Sequence, residues 1–225
     1  AWVPLLLMEE QLKRHANPYA IFNYAFVSFL LWNIIGTWWI VKPQVAGGIF
    51  VIVANSLVQA LAFWLASRIR TTLGIPLLLP FVFIWMGYEH FHLSWDLAWP
   101  WLNLGNALAT APKLIQWYEF TGVRGGTLWI ILTNFAAFKA YVAYRQKGPG
   151  SIVAAGAITL ILFLFPILPS YLIFQNFEAE GDTVNIALIQ PNLDPYTEKF
   201  DPENYARHVE SFFKKADAIL AGENQ

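Results

Sequence analysis

Cysteine is absent from the 225 residues. Without a thiol, these residues hold no disulfide framework, no thiolate metal site and no thiol nucleophile. Charge is scarce as well: Asp, Glu, Lys and Arg make up 13% of the chain, against about 25% in a soluble globular domain. The formal net charge is -1, and the basic residues fall in short, separated clusters. No basic stripe is available to follow a phosphate backbone, which argues against nucleic acid as a partner. The opening AWVPLLLMEE has neither an initiator Met nor the basic flank of a signal peptide, and its apolar run is too short to span a bilayer. It reads as the tail of a helix cut at its beginning. Repeats and low-complexity tracts are also missing.

What is abundant is apolar and aromatic. Hydrophobic residues make up 57% of the chain and aromatic residues 17%, a composition that belongs in a bilayer. Apolar stretches of the required length, roughly 20 residues, run at Tyr19 to Val41, Val45 to Ser67, Ile75 to Phe91, Gly126 to Tyr144 and Ser151 to Phe174. Five full crossings are expected after one partial helix. Lys13 and Arg14 precede the first, Arg68 and Arg70 follow the second, and Arg145 and Lys147 follow the fourth. All three clusters lie on one side, the cytoplasmic one by the positive-inside rule. The opposite side has only Lys42, Lys113 and Arg124. An odd number of crossings then delivers the segment after Phe177 to the outer side. Pro76, Pro80, Pro166 and Pro169 are ordinary in buried membrane helices, whose neighbours satisfy the freed backbone groups.

The outer loop, residues 92–125, is long for a connector and too aromatic for a flexible linker. Trp95, Trp99, Trp101, Trp117 and Tyr118 are rings suited to headgroup depth. The loop is expected to anchor at the interface or, more sharply, to form part of a lipid-binding floor. Glu89, His90, His92 and Asp96 sit where the third span meets it, and ionisable groups at membrane depth are costly enough to point to function unless they are hydrated. A zinc site is rejected: on a helix His90 and His92 diverge by roughly 200°. Glu89 is the better candidate, with Trp85 one turn earlier on the same face. Its alternative role is a structural hydrogen bond tying the span to the loop.

Beyond Phe177 the pattern changes. Val184 to Gln190 is a short apolar run between Gly181-Asp182 and Pro191-Asn192, as in a strand buried on both faces of a sheet. Asp201-Pro202 is an N-cap followed by Pro at the first helical position. Tyr205, Val209, Phe212, Ala216 and Ile219 then recur at helical spacing on one face. The expected fold class is mainly α: a transmembrane helical region at residues 1–177, followed at residues 178–225 by the first strand and helix of an outer α/β domain. One strand and one helix cannot close a core, so the remainder of that domain is expected beyond Gln225.

The join LIQPNLDPYTEKFDPENYARHV resembles the opening of the nitrilase-like, carbon-nitrogen hydrolase domain of bacterial apolipoprotein N-acyltransferases. Upstream, Trp85, Glu89, Pro100-Trp101-Leu102, Gly105 and Gly122-Val123 stand as in the membrane part of that family. The resemblance covers essentially the whole chain. It implies an αββα fold for the outer domain and acyl transfer at the outer face of the bacterial inner membrane. The acyl chain of a phospholipid forms a thioester on a Cys, then passes to the amino group of a lipoprotein's diacylglyceryl-cysteine. The implied Glu-Lys-Cys triad belongs to later strands, so no catalytic residue is assigned here. The chain alone is expected to be inert, and no cofactor or metal is implied. The resemblance points to Glu89, Trp101 and Phe200 as substrate-binding candidates. Phe200 takes a place where some members carry Trp, keeping the ring but losing the indole N–H.

Two other classes compete. A membrane anchor for a different soluble domain would share this topology, since fold does not specify chemistry. A transporter would need polar groups at the bilayer midplane, where the spans hold little except Asn33, Asn55, Ser56 and Asn134.

Overall fold

A computed structural model describes residues 2–12, 17, 19–178, 181, 186–194, 198 and 201–222. Two units separate at one point in the chain, Ala1–Phe177 and Glu178–Gln225. The first holds seven helices among the described residues: α1 (Val3–Leu12), α2 (Ala20–Thr37), α3 (Val45–Leu73), α4 (Leu78–Phe91), α5 (Tyr118–Lys147), α6 (Gly150–Leu164) and α7 (Ile167–Gln175). Four stretches are long and apolar enough to cross a membrane: Ala20–Val41, Val45–Leu73, Tyr118–Lys147 and Ile152–Gln175.

The expected third span is shorter than its apolar run. Gly74 ends α3 in the left-handed conformation at φ 66°, and Pro76 disfavours helix at the residue before it. Helix α4 therefore starts at Leu78, and Pro80 falls in its first turn, where a missing N–H leaves no helical bond unmade. Its 14 residues reach about 21 Å at 1.5 Å per residue, short of a hydrocarbon core of roughly 30 Å. Helix α5 differs the other way, beginning at Tyr118 and bending at Gly122 (φ 65°, ψ -176°), backbone that is essentially reserved for glycine.

Aromatic rings fill the centre. Trp2 from the chain start packs edge-on against Trp85 of α4 at 4.5 Å and against Phe81 at 5.1 Å. Phe29 of α2 and Phe63 of α3 close the cluster, and all five rings are buried. In lipid, apolar burial alone gives helices little reason to associate, so close packing and interhelical hydrogen bonds carry the assembly. Such a network crosses the bundle. Asn55 Nδ2 donates to Asn33 Oδ1 at 2.6 Å, Asn33 Nδ2 donates to Gln59 Oε1 at 2.7 Å, and the Tyr88 hydroxyl donates to Asn55 Oδ1 at 3.0 Å. These bonds join α2, α3 and α4 through one another. Asn134 is likewise engaged, accepting from the Trp2 backbone N–H at 2.9 Å and donating to the Ile130 carbonyl at 2.8 Å.

At the opposite end from the aromatic loop, Arg70 of α3 binds two carboxylates of α1. It pairs with Glu9, which is buried, and with Glu10 at 2.7 Å. Ser67 Oγ donates to Glu9 Oε1 at 2.7 Å. Lys13 and Arg14, invoked for orientation, lie outside the described residues.

In the second unit, Asp201 caps the helical turn Pro202–Asn204, its carboxylate accepting from the Glu203 N–H at 3.0 Å and from Asn204 Nδ2 at 2.7 Å. Helix α8 (Tyr205–Leu220) follows. The expected strand is not formed in its described part: Ile186 to Gln190 have no regular structure, no β-strand occurs among the described residues, and Val184 and Asn185 lie outside them. A strand exists only through hydrogen bonds to a neighbouring strand, and these residues offer no second one. Ile186 and Leu188 are accordingly exposed, as are Tyr205, Phe212 and Ile219 along the apolar face of α8.

Candidate functional site

The last turn of α4 brings a carboxylate into the interior. Glu89 is buried, and three donors from three parts of the chain converge on it. Trp85 Nε1, one turn back, donates to Oε1 at 3.0 Å, and the backbone N–H of Leu104 donates to the same oxygen at 2.7 Å. Thr127 Oγ1 of α5 donates to Oε2 at 2.5 Å. A carboxylate is an acceptor with room for several bonds, and charge-assisted bonds to it are stronger than neutral ones. The arrangement fixes the outer loop to α4 and α5 at one point.

Gly105 makes that joint possible. Its N–H donates to Thr127 Oγ1 at 3.0 Å, and its carbonyl accepts from the Tyr118 hydroxyl at 2.9 Å. A Cβ here would lie 2.0 Å from the Val123 carbonyl oxygen and 2.6 Å from Val123 Cγ1. Only glycine permits so close an approach of loop to helix. Val123 reaches that point because the chain bends at Gly122. A Cβ on Gly126 would meet the Tyr118 hydroxyl oxygen at 1.8 Å. Trp85, Glu89, Gly105, Gly122 and Val123, scattered over the sequence, thus belong to one piece of structure. Tyr118, read from the sequence only as an interfacial ring, and Thr127 complete it. Thr127 escapes sequence reasoning, its only hint being its place beside the Gly-rich stretch Gly122–Gly126.

Trp101 occupies a different position. It stands on the short helical turn Pro100–Leu102, is 62% exposed, and its ring meets Trp39 edge-on at 5.5 Å and Trp99 at 6.2 Å. These three indoles form an aromatic ledge joining the end of the first span to the loop. Phe200, the third candidate, lies outside the described residues. Two cations on this side sit on rings, Lys42 over Trp38 at 4.8 Å and Lys113 over Phe174 at 4.9 Å, while Arg124 is hydrogen-bonded to His90 Nδ1.

His90 and His92 face different partners. His92 is buried, and its Nδ1 accepts from Trp95 Nε1 at 2.9 Å. Burial pushes its imidazole below the ordinary histidine value, so the ring is held neutral. Beside the Glu89 joint, an apolar groove of about 540 Å³ runs past Leu104, Trp32, Phe29 and Ile130. The grouping offers aligned hydrogen bonds, an aromatic surface and an apolar groove. It holds no thiol.

The model of the apolipoprotein N-acyltransferase N-terminal domain matches residues 1–136. An apolipoprotein N-acyltransferase of Chlorobaculum tepidum is 29% identical over 205 residues, covering 89% of this chain and 37% of the relative. One of Geobacter metallireducens is 28% identical over 129 residues, covering 57% of this chain and 25% of the relative. No solved structure matches. The chain therefore spans roughly a quarter to a third of the length of these relatives. With four helices able to cross a bilayer and a family model that fits more than half of its residues, this multi-pass membrane chain belongs to the apolipoprotein N-acyltransferase family.

Proposed function

We propose that the chain is the membrane part of an enzyme that moves an acyl chain from a phospholipid to the N-terminal diacylglyceryl-cysteine of lipoproteins. The observation that carries this reading is the Glu89 joint, where residues sharing the family's pattern hold an aromatic loop rigidly against the helices. Both substrates are tethered to the bilayer by their own chains, so the work falls at the lipid surface. There a fixed loop and an apolar groove orient fatty chains without a large entropy cost. In this reading Glu89 is a positioning residue, Trp101 meets lipid from the aromatic ledge, and Phe200 is a substrate-binding residue.

The chemistry needs a thiolate to take the acyl group as a thioester, a Glu to act as base and a Lys to steady the oxyanion. These residues contain no Cys, so the triad comes from the part of the relatives' length that this chain does not span. The proposed setting is the bacterial inner membrane, with five crossings and the segment after Phe177 in the periplasm. Although α4 is short, the apolar run from Ile75 and its packing among longer helices support its counting as a crossing.

The test is acyl transfer by the protein from its whole reading frame, with phospholipid and a diacylglyceryl-cysteine peptide. The expected result is an N-acylated peptide, lost when the nucleophilic Cys is replaced, with no product from these 225 residues alone. Turnover that survives loss of the Cys, or a reporter fused at Gln225 found in the cytosol, would overturn the reading. The rival transport function is disfavoured by the polar residues of the spans, which bond to one another and to backbone instead of lining a path.

A further inference from the structure

A second cavity lies between α3 and the first residues of the outer loop. It measures about 170 Å³ and is walled by Phe50, Val51 and Val58 of α3 and by His92, Leu97 and Trp99 of the loop. Two buried ring nitrogens in its lining, His92 Nε2 and Trp99 Nε1, have no hydrogen-bond partner among the described residues. Both are donors. An indole nitrogen can only donate, and His92 Nδ1 already accepts from Trp95, which leaves the proton of the neutral ring on Nε2. A buried N–H without an acceptor is costly enough that native structures rarely keep one, so two in one cavity call for a bound oxygen.

The rest of the lining says which oxygen. Phe50 and Leu97 are half exposed, so the cavity opens to the surface between apolar side chains, which in a membrane-spanning chain face acyl chains. Asp96 also contributes to the lining, and its carboxylate repels a phosphate or carboxylate oxygen. A neutral acceptor carried by an apolar molecule fits both features. We propose that this cavity seats the ester carbonyl of a membrane glycerolipid, received by His92 Nε2–H and Trp99 Nε1–H, with the adjoining methylenes against Phe50, Val51 and Leu97. The seat requires only that the chain lie in a bilayer. It does not depend on the acyltransferase reading, and a failure of either leaves the other standing.

Solid-state NMR tests it directly on the whole protein labelled with 15N at histidine and tryptophan. The protein is placed in bilayers of diacyl phosphatidylethanolamine carrying 13C at the ester carbonyls, and peaks are assigned with His92→Gln and Trp99→Phe. The expected result is a 15N–13C contact from both His92 Nε2 and Trp99 Nε1 to lipid carbonyl. The histidine contact should fall to background in His92→Phe. In a dialkyl ether lipid, which lacks the carbonyl, the wild-type His92 and Trp99 N–H resonances should shift. If neither nitrogen contacts lipid carbonyl, or if the resonances are identical in ester and ether bilayers and exchange only with water, the proposal is wrong. Because the ester-to-ether comparison uses the unaltered protein, it stands even where a variant fails to fold.

Discussion

Glu89 Oε1 accepts the backbone N–H of Leu104 at 2.7 Å, across fifteen residues of sequence. That bond turns a long aromatic connector into a fixed part of the helical unit. Replacing Glu89 with Ala leaves the buried Trp85 indole N–H, Leu104 N–H and Thr127 hydroxyl short of an acceptor. The expected cost is about 3 kcal/mol or more, at about 1–3 kcal/mol for each unsatisfied buried group. Glu89→Gln keeps one oxygen acceptor and should cost less. Thermal unfolding in detergent ranks the three proteins, and proteolysis within residues 92–117 should accelerate most in Glu89→Ala.

Gly105→Ala is expected to be severely disruptive, since its Cβ would lie 2.0 Å from the Val123 carbonyl oxygen. Relieving that overlap requires the loop to lift from α5, a loss of about 2 kcal/mol or more on the scale of overpacking. Gly87→Ala is the control, because nothing lies within 4 Å of its Cβ position. Comparable unfolding midpoints for the two variants would count against the packing described here.

His92 gives the stability a pH dependence of defined sign. Its folded value is lowered by burial, while the unfolded ring titrates near its ordinary value, about 6.5. The unfolded state therefore binds the proton first as pH falls. The contribution of the neutral ring is present above about 6.5 and is lost as pH drops through the lower folded value. Tyr88, whose ring lies 5.1 Å away, and Asp96 are the titratable neighbours. Unfolding midpoints measured from neutral to mildly acidic pH should fall for the wild type, and less for His92→Gln.

Arg70 ties α1 to α3 through Glu9 and Glu10. Arg70→Met removes the cation beside buried Glu9 and should cost about 3 kcal/mol, the usual result of breaking one side of a buried pair. Replacing Glu9 as well, in a Glu9→Gln Arg70→Met double variant, should recover part of the loss, because the buried carboxylate is then gone and only the more exposed Glu10 has lost Arg70. A double variant less stable than Arg70→Met would show that Glu9 is held chiefly by Ser67 and its other neighbours.

Hydropathy made the helical unit legible, because a long apolar run has few places to go except a bilayer. The Trp85–Glu89 pairing was legible too, since i and i+4 share a face on any helix. So was the cap at Asp201, a local event among adjacent residues. Less could be read where an outcome depends on distant partners. Helix α4 came out shorter than its apolar run because the turn at Gly74 and Pro76 claimed the first residues. Val184 to Gln190 has strand composition, yet Ile186 to Gln190 form no strand, because strand pairing is not a property of one segment.

The sequence by itself determined which segments are apolar, where charge can sit and that no thiol chemistry resides in these residues. Those are sums over side chains, and they need no knowledge of what lies nearby. Only the tertiary structure decided that Thr127 and the Leu104 N–H complete the Glu89 joint, that Gly105 must lack a side chain, and that His92 and Trp99 turn unpartnered donors into one cavity. The physical reason is that hydrogen bonds and van der Waals overlap act over a few ångströms, and the distance between residues far apart in sequence is set by the fold.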